Sequence, residues 1–446
     1  MDKYAVIGIG CAGYNAVKSM RENGFIGEIH IYSDVSHPSA NPMLTTYYVS
    51  GRLPREGMFP FGSLEKLVKD YNVILHTDTR VRHVNASEKQ LVLEDGSSEV
   101  FDKILIAAGA RAVSPPLGQK PKGRCFLMRS VEDADRLKQV LEQENISSAA
   151  VVGASMTGIK VTELLAEKNI SVTMIDMADR LFPLACMKET ADILEKDLTG
   201  RGIRLLLRTG VDHVEENGND ISTFLTDGSC VSTDILVLCI GTRANTELAA
   251  NTEVLEKEPV LINRGIVVDE HMQTSVPGIF AAGDCCEALN IQTGSTMIIG
   301  LWANAAEQGR IAGCCMAADC NENSLPDTPP ADGSPSSALC SALPAYKGSI
   351  PNNITHYFDQ TFVGIGDPNL TGERFTAFNK SGMVSAIHDG RNIKCINILG
   401  NYRISGMVKD YLIKRITGQG AFMAVADMGL LRNSGVPEEF IQLLKN

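Results

Sequence analysis

Two glycine-rich segments of the chain have the residue types and spacing that bind the phosphate groups of a dinucleotide. The first segment consists of Gly8, Ile9, Gly10, Cys11, Ala12 and Gly13. Gly8 permits a tight turn after a strand, Gly10 lets the backbone approach a pyrophosphate, and Gly13 lets a helix pack closely on the strand. We predict that these residues bind a dinucleotide, and the alternative is an ordinary glycine turn.

The elements around this segment favour dinucleotide binding. An apolar run at residues 4–7 precedes it, and a helix is predicted at residues 14–21. The N-terminus of such a helix offers free N–H groups and the positive end of a dipole to phosphates. Asp34 follows the second predicted strand, residues 28–32, with twenty residues between it and Gly13. We therefore expect Asp34 to accept hydrogen bonds from a ribose.

The second glycine segment contains Gly153, Ser155 and Gly158, with serine in place of the middle glycine. Serine is small enough to allow close approach of the backbone. Asp176 ends the next predicted strand, and its carboxylate would accept hydrogen bonds from a ribose and repel a 2′-phosphate. No arginine occurs at residues 177–179 to hold such a phosphate, although Arg180 is close. The pattern predicts NAD(H) rather than NADP(H).

The order of predicted elements indicates an α/β fold with an internal duplication. Strand-like apolar runs alternate with amphipathic helices from residue 3 to about residue 320, as in doubly wound folds. The sequence of strand, glycine turn, helix, strand and acid occurs twice. Between the two copies we predict a hairpin at residues 90–101 and a helix that begins at about Ser130, within a capping box.

The remainder of the chain is predicted to form a separate C-terminal part. Residues 321–340 contain four prolines and many small polar residues, which is typical of a linker. Short β-like runs follow, such as residues 361–365 and 375–379, and then a helix-rich tail from about Gly406. This pattern predicts a third domain of mixed α and β structure.

Composition excludes several classes of function. The 446 residues carry a net charge of −12, which argues against nucleic acid and anionic membranes as partners. The first glycine segment begins at Gly8, which leaves no room for a signal peptide, and no apolar run reaches eighteen residues. Twelve cysteines in a chain of this length do not indicate a disulfide scaffold. We therefore expect a cytoplasmic protein.

Three further segments resemble the FAD/NAD-linked reductases of the pyridine nucleotide-disulfide oxidoreductase superfamily. Residues 102–109 end in Ala108 and Gly109 and are similar to the strand and turn that close the first FAD segment. Residues 234–245 contain Gly241 and are similar to the segment that leaves the NAD domain. Residues 274–284 end in Gly283 and Asp284 and match the second FAD signature, in which the aspartate holds the ribitol chain. The resemblance implies FAD and NAD(H) as cofactors.

Residues 302–309 resemble the family helix whose N-terminus faces the pyrimidine edge of the flavin. A helix dipole at that place would stabilise negative charge on the reduced flavin. Trp302, the only tryptophan, is expected either to cover the flavin ring or to be a core residue.

The chain lacks the cysteines that disulfide reductases of this superfamily use. It has no early C-x-x-x-x-C pair, and the single cysteine that follows an Ala-Asn pair in coenzyme A-disulfide reductases and NADH oxidases is Pro42 here, after Asn41. Proline cannot form a thiolate or a mixed disulfide. The adjacent cysteine pairs at 285–286 and 314–315 are not spaced as iron–sulfur ligands, and the eight histidines form no metal-binding pair. We predict no thiol chemistry and no metal site.

Residues 41–46 resemble the Arg-Pro-Pro-Leu-Ser-Lys run of the thiol-free rubredoxin, ferredoxin and nitrite reductase-type flavoproteins, with Thr46 in place of the lysine. In those proteins the lysine pairs with a glutamate two residues past the second glycine motif, and Lys160 holds that position here. The resemblance implies that the cation lies on the other side of the flavin without its carboxylate partner, and it makes Lys160 the candidate catalytic residue. The alternative is an exposed helix lysine.

Together these observations predict an NADH-dependent flavoprotein with three domains. The resemblance implies an FAD domain at 1–115 and 244–325, an NAD domain at 116–243, a linker at 326–340, and a C-terminal domain at 341–446 that builds a homodimer interface. We expect the acceptor to be a redox protein or an iron–sulfur or metal-bearing partner subunit. The alternatives are a small-molecule reductase, an NADH oxidase, and an NADH-sensing interaction protein. The tail from residue 418 is expected to dock a partner, or to pack on its own domain or on the dimer mate.

Overall fold

The structure, a computed structural model, is organised as two compact units. It describes residues 1–115, 117, 123–218, 220–250, 259–318, 343–379, 382–390, 392–400, 403–418 and 425–445. Unit 1 comprises Met1–Asn41, Arg55–Arg111 and Arg243–Ser349, and unit 2 comprises Pro42–Pro54, Ala112–Thr242 and Ile350–Asn446. The predicted linker at 326–340 lies outside the described residues, and the predicted three-domain division stays a prediction.

The elements follow one another in an alternating α/β order. The strands are β1 Lys3–Ile7, β2 Glu28–Tyr32, β3 Ile74–His76, β4 Val81–Asn85, β5 Gln90–Leu93, β6 Ser98–Val100, β7 Lys103–Ile106, β8 Ala110–Ala112, β9 Cys125–Leu127, β10 Ser148–Val152, β11 Ser171–Asp176, β12 Arg204–Leu207, β13 Val211–Asn217, β14 Asp220–Leu225, β15 Cys230–Thr233, β16 Ile235–Leu238, β17 Thr242–Ala244, β18 Ile266–Val267, β19 Ile279–Ala281, β20 Cys286–Leu289, β21 Thr296–Met297, β22 Asn352–Tyr357, β23 Gln360–Gly366, β24 Glu373–Asn379, β25 Gly382–His388 and β26 Ile393–Leu399. The helices are α1 Cys11–Glu22, α2 Thr45–Val49, α3 Leu64–Tyr71, α4 Val131–Gln143, α5 Met156–Glu167, α6 Lys188–Gly200, α7 Trp302–Ala318, α8 Ser405–Ile416, α9 Val425–Asn433 and α10 Glu438–Lys445, and short 3-10 turns occur at Pro42–Leu44, Arg55–Met58 and Glu247–Ala249.

Unit 1 is built on a parallel five-stranded sheet in the order β19-β7-β1-β2-β3. Its strands are short apolar runs with few exposed residues, as expected for a sheet covered on both faces. Helices α1 and α7 pack very closely. A Cβ on Gly309 would lie 2.2 Å from the carbonyl oxygen of Ala12, and a Cβ on Gly313 would lie 2.2 Å from that of Ala16. Glycines at these positions therefore let the first turns of α1 lie directly against α7.

Unit 2 repeats this arrangement with the parallel order β12-β11-β10-β16-β9. In each unit a central strand leads through a glycine turn into a helix, and the next strand pairs beside the first. The predicted α/β fold with two Rossmann-like sheets is thus confirmed. The predicted capping box at the start of α4 is also present, with Ser130 and Asp133 bonding each other's backbone N–H groups.

The C-terminal segment of unit 2 is an antiparallel sheet in the order β22-β23-β26-β25-β24, followed by α8, α9 and α10. The described part of the tail packs on its own unit: Leu431, Phe440, Ile441 and Leu444 are buried. The ring of Phe440 lies 6.1 Å from that of Phe375 on β24. Leu430 is 55% exposed. These contacts favour the structural alternative for the tail over docking.

The start of α1 differs from the prediction. The helix begins at Cys11 rather than at Tyr14, so that Gly13 lies inside its first turn. Glycine has an unfavourable helix propensity, but it is tolerated in this first turn because it allows the helix to approach the β1 strand closely.

No helix in the described ranges is long and apolar enough to cross a lipid bilayer.

Candidate functional site

The first glycine turn has the geometry that a dinucleotide-binding turn requires. Gly8 has φ +102°, and a Cβ there would lie 2.3 Å from the carbonyl oxygen of Ala107. A Cβ on Gly13 would lie 2.0 Å from the carbonyl oxygen of Gly8. A side chain at either position is therefore excluded by the protein itself. Gly10 differs, because a Cβ there would meet no atom within 4 Å and Gly10 caps α1 without a side-chain hydrogen bond.

A cleft of about 660 Å³ lies beside this turn in unit 1. Three predicted site residues, Gly8, Asp34 and Ala108, line it. The other lining residues are Ile7, Tyr32, Thr79, Arg80, Val81, Arg82, Glu94, Arg111, Asn245, Glu247 and Leu248. The structure thus brings the glycine turn, the strand-end acid and the end of the predicted first FAD segment to one cleft.

The sequence interpretation did not identify a polar cluster in this cleft. The guanidinium of Arg111 donates to Asn245 Oδ1 at 2.8 Å and pairs with Glu247. Asn245 also donates through Nδ2 to the carbonyl oxygen of Ala108 at 2.8 Å, and its backbone N–H donates to Gly109 at 3.0 Å. Residues more than 130 positions apart therefore fix the turn at Ala108 and Gly109. Of the polar residues Arg111, Asn245 and Glu247, only Asn245 belongs to a segment that the sequence analysis identifies.

The second predicted FAD signature lies where α1 and α7 meet in unit 1. The backbone N–H of Gly283 donates to Gln308 Oε1 of α7 at 2.8 Å, and a Cβ on Gly283 would lie 3.1 Å from Ala12. The thiol of Cys11 donates to the carbonyl oxygen of Trp302 at 3.4 Å. Cys11, Ala12, Gly283 and Trp302 are therefore neighbours, at the N-termini of two helices.

Asp284 and Trp302 occupy different surroundings at this place. A Cβ on Gly300 would lie 3.8 Å from the Asp284 carboxylate, so a residue without a side chain borders that carboxylate. The half-buried ring of Trp302 lies 5.6 Å from the ring of Phe61, which stacks on Tyr14. Trp302 therefore packs in part on the core, and its predicted contact with the flavin stays a prediction.

The second glycine turn has the same backbone conformation and the same kind of close contacts as the first. Gly153 has φ +111°, and its Cβ would lie 2.3 Å from the carbonyl oxygen of Cys239, while a Cβ on Gly158 would lie 1.9 Å from that of Gly153. Ser155 also makes hydrogen bonds that a glycine at this position could not make. Its hydroxyl accepts from the N–H of Gly158 at 3.1 Å and donates to Cys239 at 2.8 Å, and so it caps α5.

Asp176 ends β11 beside this turn, as predicted. Its carboxylate accepts from the N–H of Ala154 at 2.5 Å and from that of Ala178 at 2.7 Å. Each carboxylate oxygen has a further lone pair for a ribose hydroxyl. Arg180 is engaged elsewhere, because its guanidinium donates to the carbonyl oxygens of Cys186 and Pro183. It is therefore poorly placed to hold a 2′-phosphate.

Two clefts in unit 2 meet at the second glycine turn. The larger, of about 670 Å³, is lined by Gly153, Ser155, Asp176 and Gly241 of the predicted site and by Met177, Phe182, Pro183, Leu184 and Ala185. The smaller, of about 260 Å³, shares Ser155 and Gly241 with it and adds Pro42. Asn41 belongs to unit 1, where its N–H donates to the carbonyl oxygen of Met58 at 2.9 Å.

The prediction that Lys160 has no carboxylate partner is wrong. Its ammonium group pairs with Glu163, one turn further along α5, and lies 4.9 Å from the ring centre of Tyr47. Nor is Lys160 an exposed helix residue, since its side chain is only 12% exposed. Glu163, which is 3% exposed, also accepts from Arg52 at 3.3 Å and from the N–H of Phe358 at 2.9 Å. A buried carboxylate thus neutralises the predicted catalytic cation.

The Glu163→Gln variant is expected to lose about 3 kcal/mol of unfolding free energy, because it leaves the Lys160 ammonium, on a side chain only 12% exposed, without its buried counter-charge. Glu167→Gln is the matched control on the same helix, since Glu167 pairs with Arg52 but is 39% exposed, and it should cost less than about 1 kcal/mol. Urea unfolding measures both values. The Lys160→Met/Glu163→Gln double variant should lose less unfolding free energy than the two single variants do together. Equal losses for the two glutamine variants would contradict the assignment of Glu163 as the buried partner.

The cysteines of the described segments are free thiols, and most are buried. Burial, with the charge of Asp284 adding to it, raises the pKa of Cys11 to about 12. Burial likewise raises the pKa of Cys239 to about 12 and that of Cys285 to about 11. No cluster of three His, Cys, Asp or Glu side chains suited to a metal ion occurs among the described residues.

Alkylation is expected to leave turnover intact. At pH 8 Cys11 should be almost wholly protonated, because burial raises the pKa of its thiol to about 12. Among the described cysteines, exposed Cys230 should react with iodoacetamide first, whereas buried Cys11 should resist labelling in the folded protein. Mass spectrometry after NADH reduction, combined with an NADH-to-dye assay, measures both. Loss of activity in proportion to the labelling of one cysteine would show that a thiol takes part.

The residues present fit an FAD in unit 1 and a nicotinamide dinucleotide in unit 2. Each glycine turn abuts a cleft within the usual range of about 300–1,000 Å³ for small-molecule sites, and each cleft has an acid at the end of the second strand. The space at Gly10 is open in front of an uncapped helix N-terminus.

Solved structures share this fold at low sequence identity. The water-forming NADH oxidase of Lactobacillus brevis, bound to NADH, superposes with a TM-score of 0.80 and 21% identity over 94% of this chain and 91% of its own. Putidaredoxin reductase, in its covalent complex with putidaredoxin, gives 0.80 and 19% over 98% and 99%. The NADH:rubredoxin oxidoreductase of Clostridium acetobutylicum gives 0.69 and 17% over 97% and 99%.

A family model extends the comparison from the fold to the sequence. The model described as pyridine nucleotide-disulphide oxidoreductase matches residues 2–309. This range contains both glycine turns, both strand-end acids and the Gly283–Asp284 signature. The chain therefore belongs to the pyridine nucleotide-disulphide oxidoreductase family and is an FAD-dependent NAD(P)H oxidoreductase.

Proposed function

We propose that the protein is an NADH-dependent flavoprotein reductase that passes electrons to a redox protein or to a metal-bearing partner subunit without a redox-active cysteine. The observation that carries the proposal is Pro42, which stands in the place of the nucleophilic cysteine of thiol-dependent relatives. Buried thiols of raised pKa, such as Cys11 and Cys285, support it. The structural similarity to reductases of putidaredoxin and rubredoxin supports a protein acceptor.

We assign the residues of unit 1 to FAD and those of the unit 2 clefts to NADH. Gly10 and the α1 N-terminus would receive the pyrophosphate, Asp34 the ribose, and Asp284 the ribitol chain. When bound, the flavin accepts a hydride from NADH and passes electrons on singly or in pairs. Asp176 would hold the adenosine ribose. Lys160, the proposed catalytic residue, would act as half of an ion pair with Glu163 rather than as a lone cation.

Oxygen or a small molecule as acceptor is the second candidate function, favoured by the similarity to an NADH oxidase. A regulatory protein that responds to NADH is the third. We further propose a homodimer. All three functions predict flavin reduction by NADH, and they differ in what happens afterwards.

An acceptor panel separates these functions. The NADH-reduced protein is mixed under argon with rubredoxin or with a [2Fe–2S] ferredoxin, and in a separate experiment with air-saturated buffer. Flavin reoxidation is followed at 450 nm. We expect reoxidation by at least one iron–sulfur or rubredoxin acceptor to be at least tenfold faster than by oxygen. Fast reoxidation by oxygen alone would assign an oxidase, and flavin reduction slower than minutes would assign a sensor.

A further inference from the structure

One wall of the 670 Å³ cleft in unit 2 is a short loop, residues 182–187, called the wall loop below. Its first four residues line the cleft, and Leu184 at its tip is 80% exposed. Phe182 has φ +50°, a conformation that costs free energy in a residue other than glycine. The N–H of Phe182 donates to the carbonyl oxygen of Ala154 in the glycine turn at 2.9 Å. The surrounding structure must therefore hold this loop in a strained shape.

Asn397 of β26 makes two hydrogen bonds to the wall loop, beside those that Arg180 donates to its Pro183 and Cys186 carbonyl oxygens. Its side chain is buried, with 1% of the residue exposed. Its Oδ1 accepts from the N–H of Met187 at 2.7 Å, and its Nδ2 donates to the carbonyl oxygen of Ala185 at 2.9 Å. A carboxamide offers a donor and an acceptor on one short arm. Asn397 thus satisfies two backbone groups of the loop that have no access to water.

Apolar contacts from the same C-terminal sheet reinforce this support. The ring of Phe362 lies 5.1 Å from that of Phe182. Gly364 on β23 approaches so closely that a Cβ there would lie 2.6 Å from the carbonyl oxygen of Ala185. Asn353 of β22 itself lines the cleft. The sheet therefore backs the wall loop, and among its described residues Asn397 is the one with two hydrogen bonds to the loop.

We infer that Asn397 is a positioning residue for the nicotinamide cofactor: it holds the wall loop so that residues 182–185 form the side of the cleft that receives NADH. The inference rests on the proposed function, which places NADH in this cleft. It gives the C-terminal sheet a second role, in cofactor affinity, beside its own fold. The effect acts on binding, because Asn397 touches the wall loop and does not line the cleft.

The test compares Asn397→Ala and Asn397→Ser with the full-length holoprotein. Isothermal titration with ADP-ribose and with NAD+ measures binding without any turnover. We expect affinity about tenfold lower for Asn397→Ala and intermediate for Asn397→Ser, with a matching rise in KM for NADH and kcat within twofold in the dye assay. Flavin content should stay unchanged. Amide exchange at Met187 should quicken, since its N–H loses the Asn397 acceptor.

Ser385→Ala is the matched control. Ser385 is a buried polar residue of the same sheet, and its hydroxyl contacts Thr190 and Thr376 but not the wall loop. It should lose comparable stability and keep its affinity for ADP-ribose. Unchanged affinity in a folded Asn397 variant would overturn the inference, and so would equal weakening in Ser385→Ala. If Asn397→Ala fails to fold, Asn397→Ser decides. Failure of the unaltered protein to bind NAD+ would instead remove the proposed function.

Discussion

The Gly10→Leu variant is expected to fold normally and to be purified without FAD. Space at Gly10 is open, since a Cβ there meets no atom within 4 Å, so the protein has no internal reason to be destabilised. The leucine would fill the region in front of the α1 N-terminus, where a pyrophosphate must approach the backbone. We expect FAD affinity to fall at least a hundredfold, measured by absorbance at 450 nm and by reconstitution of the apoprotein.

Gly10 is a sharper test than the other glycines of the turn. A side chain at Gly8 or Gly13 would collide with backbone oxygens, so its loss of FAD would not separate binding from folding. Gly200→Leu is the control, because Gly200 of α6 also has open space around a Cβ. It should keep its full flavin content. A yellow Gly10→Leu protein with one FAD per chain would refute the assignment of this turn.

The unaltered protein is expected to prefer NADH to NADPH at least tenfold in kcat/KM, which corresponds to about 1.4 kcal/mol. The Asp176 carboxylate is the cause, because it lines the cleft and would repel a 2′-phosphate. The Asp176→Ser/Met177→Arg double variant should bring the ratio close to one. Met177 is suitable because it lines the same cleft and is 78% exposed.

Met177→Ala is the matched control for this exchange. It removes an apolar contact without altering charge, so it should weaken the binding of NADH and NADPH equally. The ratio of their kcat/KM values should therefore stay unchanged. Arg180 provides no competing phosphate site, since its guanidinium is bonded to backbone carbonyls of residues 183 and 186. Equal rates with NADH and NADPH in the unaltered protein would show that Asp176 does not face the ribose.

The repeated dinucleotide pattern could be predicted because its constraints are local. Strand, glycine turn, helix and strand-end acid lie within about thirty residues, and each glycine has a steric reason that holds in isolation. Both turns accordingly have the positive φ and close contacts that the glycines imply. The predicted start of α1 is three residues late, because glycine disfavours helices in general, whereas Gly13 allows α1 to pack closely on the strand.

The surroundings of Lys160 illustrate what a local interpretation misses. Glu163 lies three residues further along the same helix, a spacing at which side chains meet, so this pair was within reach of the sequence. Arg52 lies more than a hundred residues from Glu163 in the sequence, so no local pattern could predict that the two side chains pair. The pairing of Asn397 with the wall loop spans 210 positions. It depends on the register of the C-terminal sheet, which no pattern within either segment encodes.

The most direct test of the account is an anaerobic titration of the holoprotein with NADH. The proposed function holds that the flavin is the only redox group, because the resemblance puts Pro42 in the place of the nucleophilic cysteine. One equivalent of NADH per FAD should then bleach the 450 nm band completely, and a second equivalent should remain unoxidised. Consumption of two equivalents per FAD would reveal another two-electron centre, such as a thiol–disulfide pair, and would contradict the claim.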